Sequence, residues 1–241
     1  MKEFLILELD APLLAFGGPM IDNYGVIQEH PALSMITGLI GNALGLDHRE
    51  TDRLDALQRV LQVAARRDRG GDLLVDYQTV DLGQDHMVGT GWTTLGREMV
   101  HGGGSGRGTH IRHRHYRADC LYTCALGLDE DGSEWNLTDI ERALRHPARP
   151  LFVGRKCCLP SRPLLAARLQ AESLRNALER HPRFTGRADA GPLPAWWPVA
   201  EPEPSPAVFA VTDRRDWRNQ IHVGRRFLER GQVNPPEAAH E

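Results

Sequence analysis

Three things are scarce in this chain of 241 residues, and each scarcity excludes a class. Cysteine is scarce: Cys120, Cys124, Cys157 and Cys158 are the four, none in a CxxC spacing, and the adjacent pair does not suit a bridge with itself. That pattern argues against a disulfide scaffold and for reduced thiols in a cytosolic protein. Long apolar runs are lacking. The longest near the start, Phe4 to Leu9, is interrupted by Glu8 and followed by Asp10, so it makes neither a signal-peptide core nor a membrane span. Excess positive charge is lacking too, because the formal net charge is −3. A protein of this balance that grips a polyanion must concentrate its cations locally. The sequence also has no GxSxG, Walker, HExxH or paired-carboxylate pattern, so no familiar hydrolase or nucleotide-binding motif is written in it. Apolar residues make up 41%, enough for a proper core.

What is there is a local concentration of cations. The segment Arg97 to Arg117 (REMVHGGGSGRGTHIRHRHYR) carries arginines 97, 107, 112, 114 and 117, clustered histidines, a glycine run and a single acid, Glu98. If its second half is extended, His110, Arg112, Arg114 and Tyr116 share one face, while Ile111, His113, His115 and Arg117 share the other. Two arginines, a histidine and an aromatic ring suit phosphates and one stacked base. A solvated charged hairpin without a ligand fits the same spacing. A metal reading of His113-x-His115 lacks a third ligand at a recognisable spacing.

The expected elements give this arm a place. Glu3 to Leu9 reads as a buried first strand. A helix opens at Pro31 and ends at Gly45; its interior Gly38 and Gly41, each costing about 1 kcal/mol relative to alanine, imply close packing against it. A second helix runs from Thr51 to Arg66 on the stripe Leu54, Leu57, Val60, Leu61 and Ala64. Leu73 to Val80 is a strand, Asp81 to Thr109 a long glycine-rich insertion, and Ile111 to Leu128 a strand. Thr138 and Glu141 form a capping box for a helix from Asp139 to Arg145, and Leu151 to Val153 is a brief strand. Ala171 to Arg180 is helical, Pro182 to Pro206 is proline-rich without periodicity, and Val208 to Thr212 is a strand. The succession of strand, helix, strand, strand, helix, strand predicts an α+β, ferredoxin-like (RRM-like) fold over residues 1–160 with an insertion at about 81–117. Residues 161–241 form a C-terminal region.

Two smaller basic or polar spots accompany the arm. Gly154-Arg155-Lys156 places two cations directly after a glycine that permits close backbone approach, although a plain turn also fits. Ser34 and Thr37 lie at the start of the first helix, where free N–H groups attract phosphate. His101, Tyr116 and Lys156 are chemically capable of acid-base work on an RNA 2′-hydroxyl, with no spacing that fixes their geometry.

The segments FLILELDAPLLAFGGP, PALSMITGLIGNALGL, DYQTV, YRADCLYTCAL and PLFVGRKCCLPSRPL, in this order, resemble the Cas-five family of CRISPR-associated proteins, and within it the subunit of type I-E Cascade complexes. The resemblance spans about residues 3 to 165. It implies an RRM-like domain with a long β-hairpin thumb and a smaller C-terminal β region. It further implies a non-catalytic, cytoplasmic subunit without a cofactor or a metal. Such a subunit caps the 5′ handle of crRNA and helps assemble an RNA-guided DNA-targeting complex. The implied partners are the crRNA 5′ handle, the backbone, large and crRNA-processing subunits, and target DNA near the junction of handle and spacer; no membrane is involved. Its RNA contacts map onto Ser34 and Thr37, onto Arg107, Arg112, Arg114, Tyr116 and Arg117, and onto Gly154, Arg155 and Lys156. A relative in type I-C systems is itself an endoribonuclease, which keeps metal-independent cleavage of precursor crRNA as the alternative. The sequence departs from the family where Leu33 replaces a basic residue before the helix serine, and where Phe16-Gly17 replaces Trp-Gly.

Overall fold

The structure, a computed structural model, describes residues 1–20, 22–81, 90–92, 98–100, 109–129, 134–184, 187–200 and 203–238, with the backbone alone for 81, 90–92, 98–100, 109 and 110. In chain order the elements are β1 (Lys2–Asp10), β2 (Leu13–Leu14), β3 (Tyr24–Gly25), α1 (Leu33–Leu44), α2 (Thr51–Val60), β4 (Leu61–Arg69) and β5 (Asp72–Asp81). Next come β6 (Thr90–Trp92), β7 (Glu98–Val100), β8 (Thr109–Ala118), β9 (Leu121–Leu128), α3 (Leu137–Arg145), β10 (Leu165–Ala171) and α4 (Leu174–Arg180). The chain closes with β11 (Leu193–Val199), β12 (Val208–Val211), β13 (Arg214–Asp216), β14 (Ile221–Val223) and β15 (Arg226–Val233). The protein is therefore α+β, and all but one of its strand pairings are antiparallel among the described residues.

One seven-stranded sheet, ordered β10-β1-β9-β4-β11-β15-β12, organises the molecule. Its central strands are apolar on both sides. In β1, Leu5, Leu7 and Leu9 enter the core beneath α1, α2 and α3, while Phe4 and Ile6 enter a second core beneath α4. Trp196 and Trp197 divide between the two cores in the same way, so the tryptophan pair is packed. The glycines of α1 admit close neighbours: a Cβ at Gly41 would stand 2.8 Å from Leu54, and one at Gly38 would stand 3.4 Å from Trp217. These are the close contacts expected of them.

Several expectations change. Pro31 lies before the helix, whose N-cap is Ala32. The helix expected to reach Arg66 stops at Val60, because Leu61, Val63 and Ala65 alternate inward as the strand β4. That strand, and not Leu73 to Val80, is the second strand of the core. The fourth is β10, since residues 151–153 form no strand. Asn136, and not Thr138, caps α3, its side chain accepting from Asp139 N at 2.8 Å. The division at residue 160 is not a break in the sheet, because β10 bonds to β1 and β11 to β4.

Ile111 to Leu128 is two strands, and the break decides where the arm goes. Asp119 takes φ 55 and Gly71 takes φ 54, and a Cβ on Gly71 would collide with the Ala118 carbonyl. At this level β4 gives way to β5 and β8 gives way to β9. The pair β5–β8 thus leaves the core sheet as its own antiparallel hairpin, in register from Asp72 opposite Ala118 to Asp81 opposite Thr109. β8 is braced on its inner edge by β2 and by the parallel β3. β5 pairs only with β8 among the described residues, and Leu73, Leu74, Val75, Tyr77 and Val80 on it are exposed.

Candidate nucleic-acid interface

The alternation expected of the arm holds in β8. Arg112 Nη1 donates to Asn23 Oδ1 at 2.5 Å, and Arg114 Nη1 donates to the Met20 sulfur, a weak acceptor, at 3.2 Å. Neither guanidinium meets a carboxylate among the described residues, so each keeps most of its donors and its full charge. Tyr116, two residues on, is only 5% exposed. Its hydroxyl lies 3.5 Å from Cys157 Sγ and its ring sits 4.7 Å beneath the Arg155 guanidinium. Burial, then Cys157, pushes the Tyr116 phenol above its usual value. Tyr116 therefore anchors the arm and does not offer its ring to a base. Arg117 is half-buried, with its Nε unpaired. Arg107, His101 and the Gly102 to Gly108 run lie outside the described residues.

The opposite face carries an aromatic patch that the sequence did not suggest. His113 stacks on Tyr24 at 4.7 Å, with planes 12° apart, and meets the edge of Tyr77 at 5.3 Å. Tyr24 and Tyr77 are 50% and 58% exposed. The alternation in β5 marks Tyr77 as a face residue, but Tyr24 joins it only through the parallel β3–β8 pairing, which no local pattern announces.

Arg155 is a brace. It donates to the carbonyls of His115 and Gly25, each at 2.9 Å, and lies over Tyr116. It thereby ties the turn after residue 153 to both β8 and β3, a fixed role beside its charge. Gly154 holds φ 92, with Ala15 so close that no side chain fits. Lys156 is exposed.

At the start of α1 the structure corrects the expectation of a phosphate on free N–H groups. Leu33 N donates to Asp213 Oδ2 and Ser34 N to the Asp213 carbonyl, each at 2.9 Å; Met35 N and Ile36 N reach the Ala32 carbonyl. A carboxylate from the far end of the chain already fills the position an anion would take. Thr37 is fully buried and its hydroxyl donates to the Leu33 carbonyl at 2.8 Å, so it too is spent. Ser34 is 8% exposed and borders a cleft. Burial tends to raise the Asp213 carboxyl, but the hydrogen bonds and charge of Arg226, at 2.6 and 2.7 Å, outweigh it and hold the group below its usual range. A lowered folded-state pKa means a contribution to stability that is in place above about pH 4 and lost as pH falls through the folded value. Acid unfolding followed by circular dichroism is therefore expected to flatten below that pH in Asp213→Asn.

The cleft, about 370 Å³, brings together Ser34, Gly154 and Arg155 from the expected set. Ala15, Gly17 and Gly18 form another side, and the β13–β14 hairpin, from the C-terminal region that the sequence left without a role, supplies Arg215, Trp217 and His222.

A model of the CRISPR-associated protein (Cas_Cas5) family matches residues 4–229. The chain belongs to that family. Proteins similar to it in sequence or in fold are known. The CRISPR system Cascade subunit CasD of Escherichia coli (strain K12) is 29% identical over 180 residues, covering 74% of this chain and 76% of that protein. A solved chain described as a CRISPR RNA-guided surveillance complex superimposes with a TM-score of 0.70 at 20% identity, over 97% of this chain and 91% of the other. A second, described as the crystal structure of a Cas protein, gives 0.67 at 24% identity over 98% of each. For the family, the resemblance read from the motifs and the match over nearly the whole chain agree.

Proposed function

We propose that this protein is a non-catalytic RNA-binding subunit of a type I-E-like Cascade complex in the cytoplasm, capping the 5′ handle of crRNA and contacting target DNA near the junction of handle and spacer. The strands β1, β4, β9 and β10, with helices after the first and third, fit a ferredoxin-like core, and the β5–β8 hairpin fits its thumb. The observation that carries the reading is the pair Arg112 and Arg114, side by side on a projecting hairpin and without a carboxylate partner among the described residues. Charged side chains held this way suit consecutive phosphates. Similarity to a Cascade subunit supplies the setting. The exposed apolar residues of β5, along an edge that pairs with nothing else among the described residues, are a liability in a lone protein and suit contact with other subunits. No helix of the described residues is long and apolar enough to cross a membrane.

Filter binding to single-stranded RNA from the repeat of its own CRISPR array tests the reading. Arg112→Ala with Arg114→Ala is expected to weaken binding by about ten- to a hundredfold and to reduce the log-log salt slope by about 1.4, the loss of two single-strand phosphate contacts. Unchanged affinity and slope would remove the hairpin from the interface. The same RNA incubated with the protein in EDTA is expected to stay whole. Site-specific cleavage would replace this reading with the endoribonuclease. The burial of Tyr116 under Arg155 supports the non-catalytic choice.

A further inference from the structure

The cleft between α1, the Gly154 turn and the β13–β14 hairpin holds a cation that the protein itself leaves unanswered. Arg215 and His222 stand directly opposite each other across the two strands. Both border the cleft, with Ser34 and Arg155 on the facing walls, and no acidic residue is among the described residues lining it. Arg215 Nη2 donates to Gln220 Oε1, and its guanidinium lies 5.5 Å over the Trp217 ring. Its Nε is buried and has no hydrogen-bond partner, and the same is true of Trp217 Nε1 beside it. No carboxylate pairs with Arg215 among the described residues, although the buried Arg66 and Arg226 each have one. Burial holds the Arg215 guanidinium below the usual arginine value. Burial first, and the facing Arg215 second, hold the His222 imidazole below its own. A half-buried guanidinium with an unpartnered donor thus faces an imidazole whose charged form is disfavoured, and a buried cation without a counter-charge is costly unless an anion enters.

The surroundings say what kind of anion. Arg155 Nη2 and Arg114 Nη1 converge on Gly25, where an added Cβ would stand 2.9 and 3.0 Å from them. Arg155 thus joins Arg114 of the hairpin face to the cleft that Arg215 lines, although Asp76 stands opposite Arg114 across β5–β8. A neighbouring cleft that shares Gly38 and Trp217 is lined by Arg149 and Lys156 together with one acid, Asp47. A lone carboxylate would need one cation, whereas the succession Arg114, Arg155 and Arg215 fits successive phosphates of a chain.

We propose that Arg215 and His222 form a phosphate-binding subsite for the RNA held by the β5–β8 hairpin, placing one phosphodiester in the cleft beside Ser34. This rests on the RNA-binding reading above and adds to it a contact from the C-terminal region. The backbone of residue 215 is held independently of its side chain, since Arg215 N donates to Gln58 Oε1 at 3.0 Å and Gln58 Nε2 donates to the Arg215 carbonyl at 2.9 Å. A side-chain substitution there leaves the hairpin anchored.

The test is filter binding of the full chain to repeat-derived single-stranded RNA across a salt series. Arg215→Gln is expected to weaken binding about five- to tenfold and to lower the salt slope by about 0.7, with Arg215→Lys recovering the slope. If Arg215→Gln binds as the unaltered protein does while Arg112→Ala with Arg114→Ala binds weakly, the subsite is wrong and the RNA reading stands. If Arg215→Gln keeps its RNA affinity but no longer co-purifies with the neighbouring subunits, a protein carboxylate occupies the cleft and the proposal fails. If the unaltered protein does not bind the RNA at all, both readings fall.

Discussion

Arg66→Ala is expected to lower the stability of the folded chain by about 3–5 kcal/mol, the loss that follows when one member of a buried ion pair is removed. Arg66 is fully buried in β4. It holds Asp68 through two nitrogens, the shortest contact at 2.7 Å, and Thr123 at 3.1 Å. Its remaining donors reach the carbonyls of Leu178, His181 and Pro182 at 2.5, 2.8 and 3.0 Å, where α4 ends. Truncation leaves a buried carboxylate and three carbonyls without their donor, and unlike a surface arginine it has no water to turn to. Burial already outweighs Arg66 in pushing the Asp68 carboxyl above its usual value. A urea titration should show the midpoint falling steeply. Arg66→Met combined with Asp68→Leu should recover part of the loss, because the isolated charge is then gone. A midpoint for Arg66→Ala within about 0.5 kcal/mol of the parent, the range of an ordinary surface change, would contradict the buried network.

Gly154→Ala is the second large effect, about 3 kcal/mol or more. Two costs add: a residue with a Cβ is held at φ 92, and that Cβ overlaps the Ala15 carbonyl, which is backbone and cannot swing aside. The damage should not stop at stability. The turn carries Arg155, whose two carbonyl bonds join β3 to β8, so its displacement loosens the support of Arg114 and of the cleft. Thermal unfolding and RNA binding are both expected to suffer. Lys156→Ala, one turn residue further and exposed, should leave stability within about 0.5 kcal/mol.

Much of this was legible in the residues, and the failures have physical reasons. β1, α1, the hairpin strands and the alternation of Arg112, Arg114 and Tyr116 follow from local pattern. The residues at 61–66 satisfy a helical and a strand period together, and burial on both sheet faces decided for the strand. β11 was hidden by Pro194 and Pro198. It survives inside the sheet because its bonds to β4 are confined to Ala195 and Trp196, between the two prolines. The break at Asp119 carries no glycine or proline to announce it. At the site, Arg155 was expected on a phosphate because sequence shows a charge and not the carbonyls around it. Arg215 and His222 escape local pattern because the groups facing them in the cleft, Arg155 and Ser34, lie 60 and 181 positions from Arg215.

The distance between Asp213 and the helix it caps has a consequence in time. Asp213 and Leu33 are 180 positions apart, and no side chain nearer in sequence caps the start of α1. A chain made from its N-terminus can form β1 and the hydrophobic stripe of α1 early. It cannot satisfy the Leu33 and Ser34 N–H groups from within until residue 213 has been made. At about 5–20 residues per second this is a wait of roughly ten to forty seconds. During that interval the first helix begins on water, and the wall that will carry Arg215 does not yet exist. Completion of the cleft is thus among the last events in the birth of the molecule, so a chain interrupted before residue 213 would present the hairpin but not the cleft beside it.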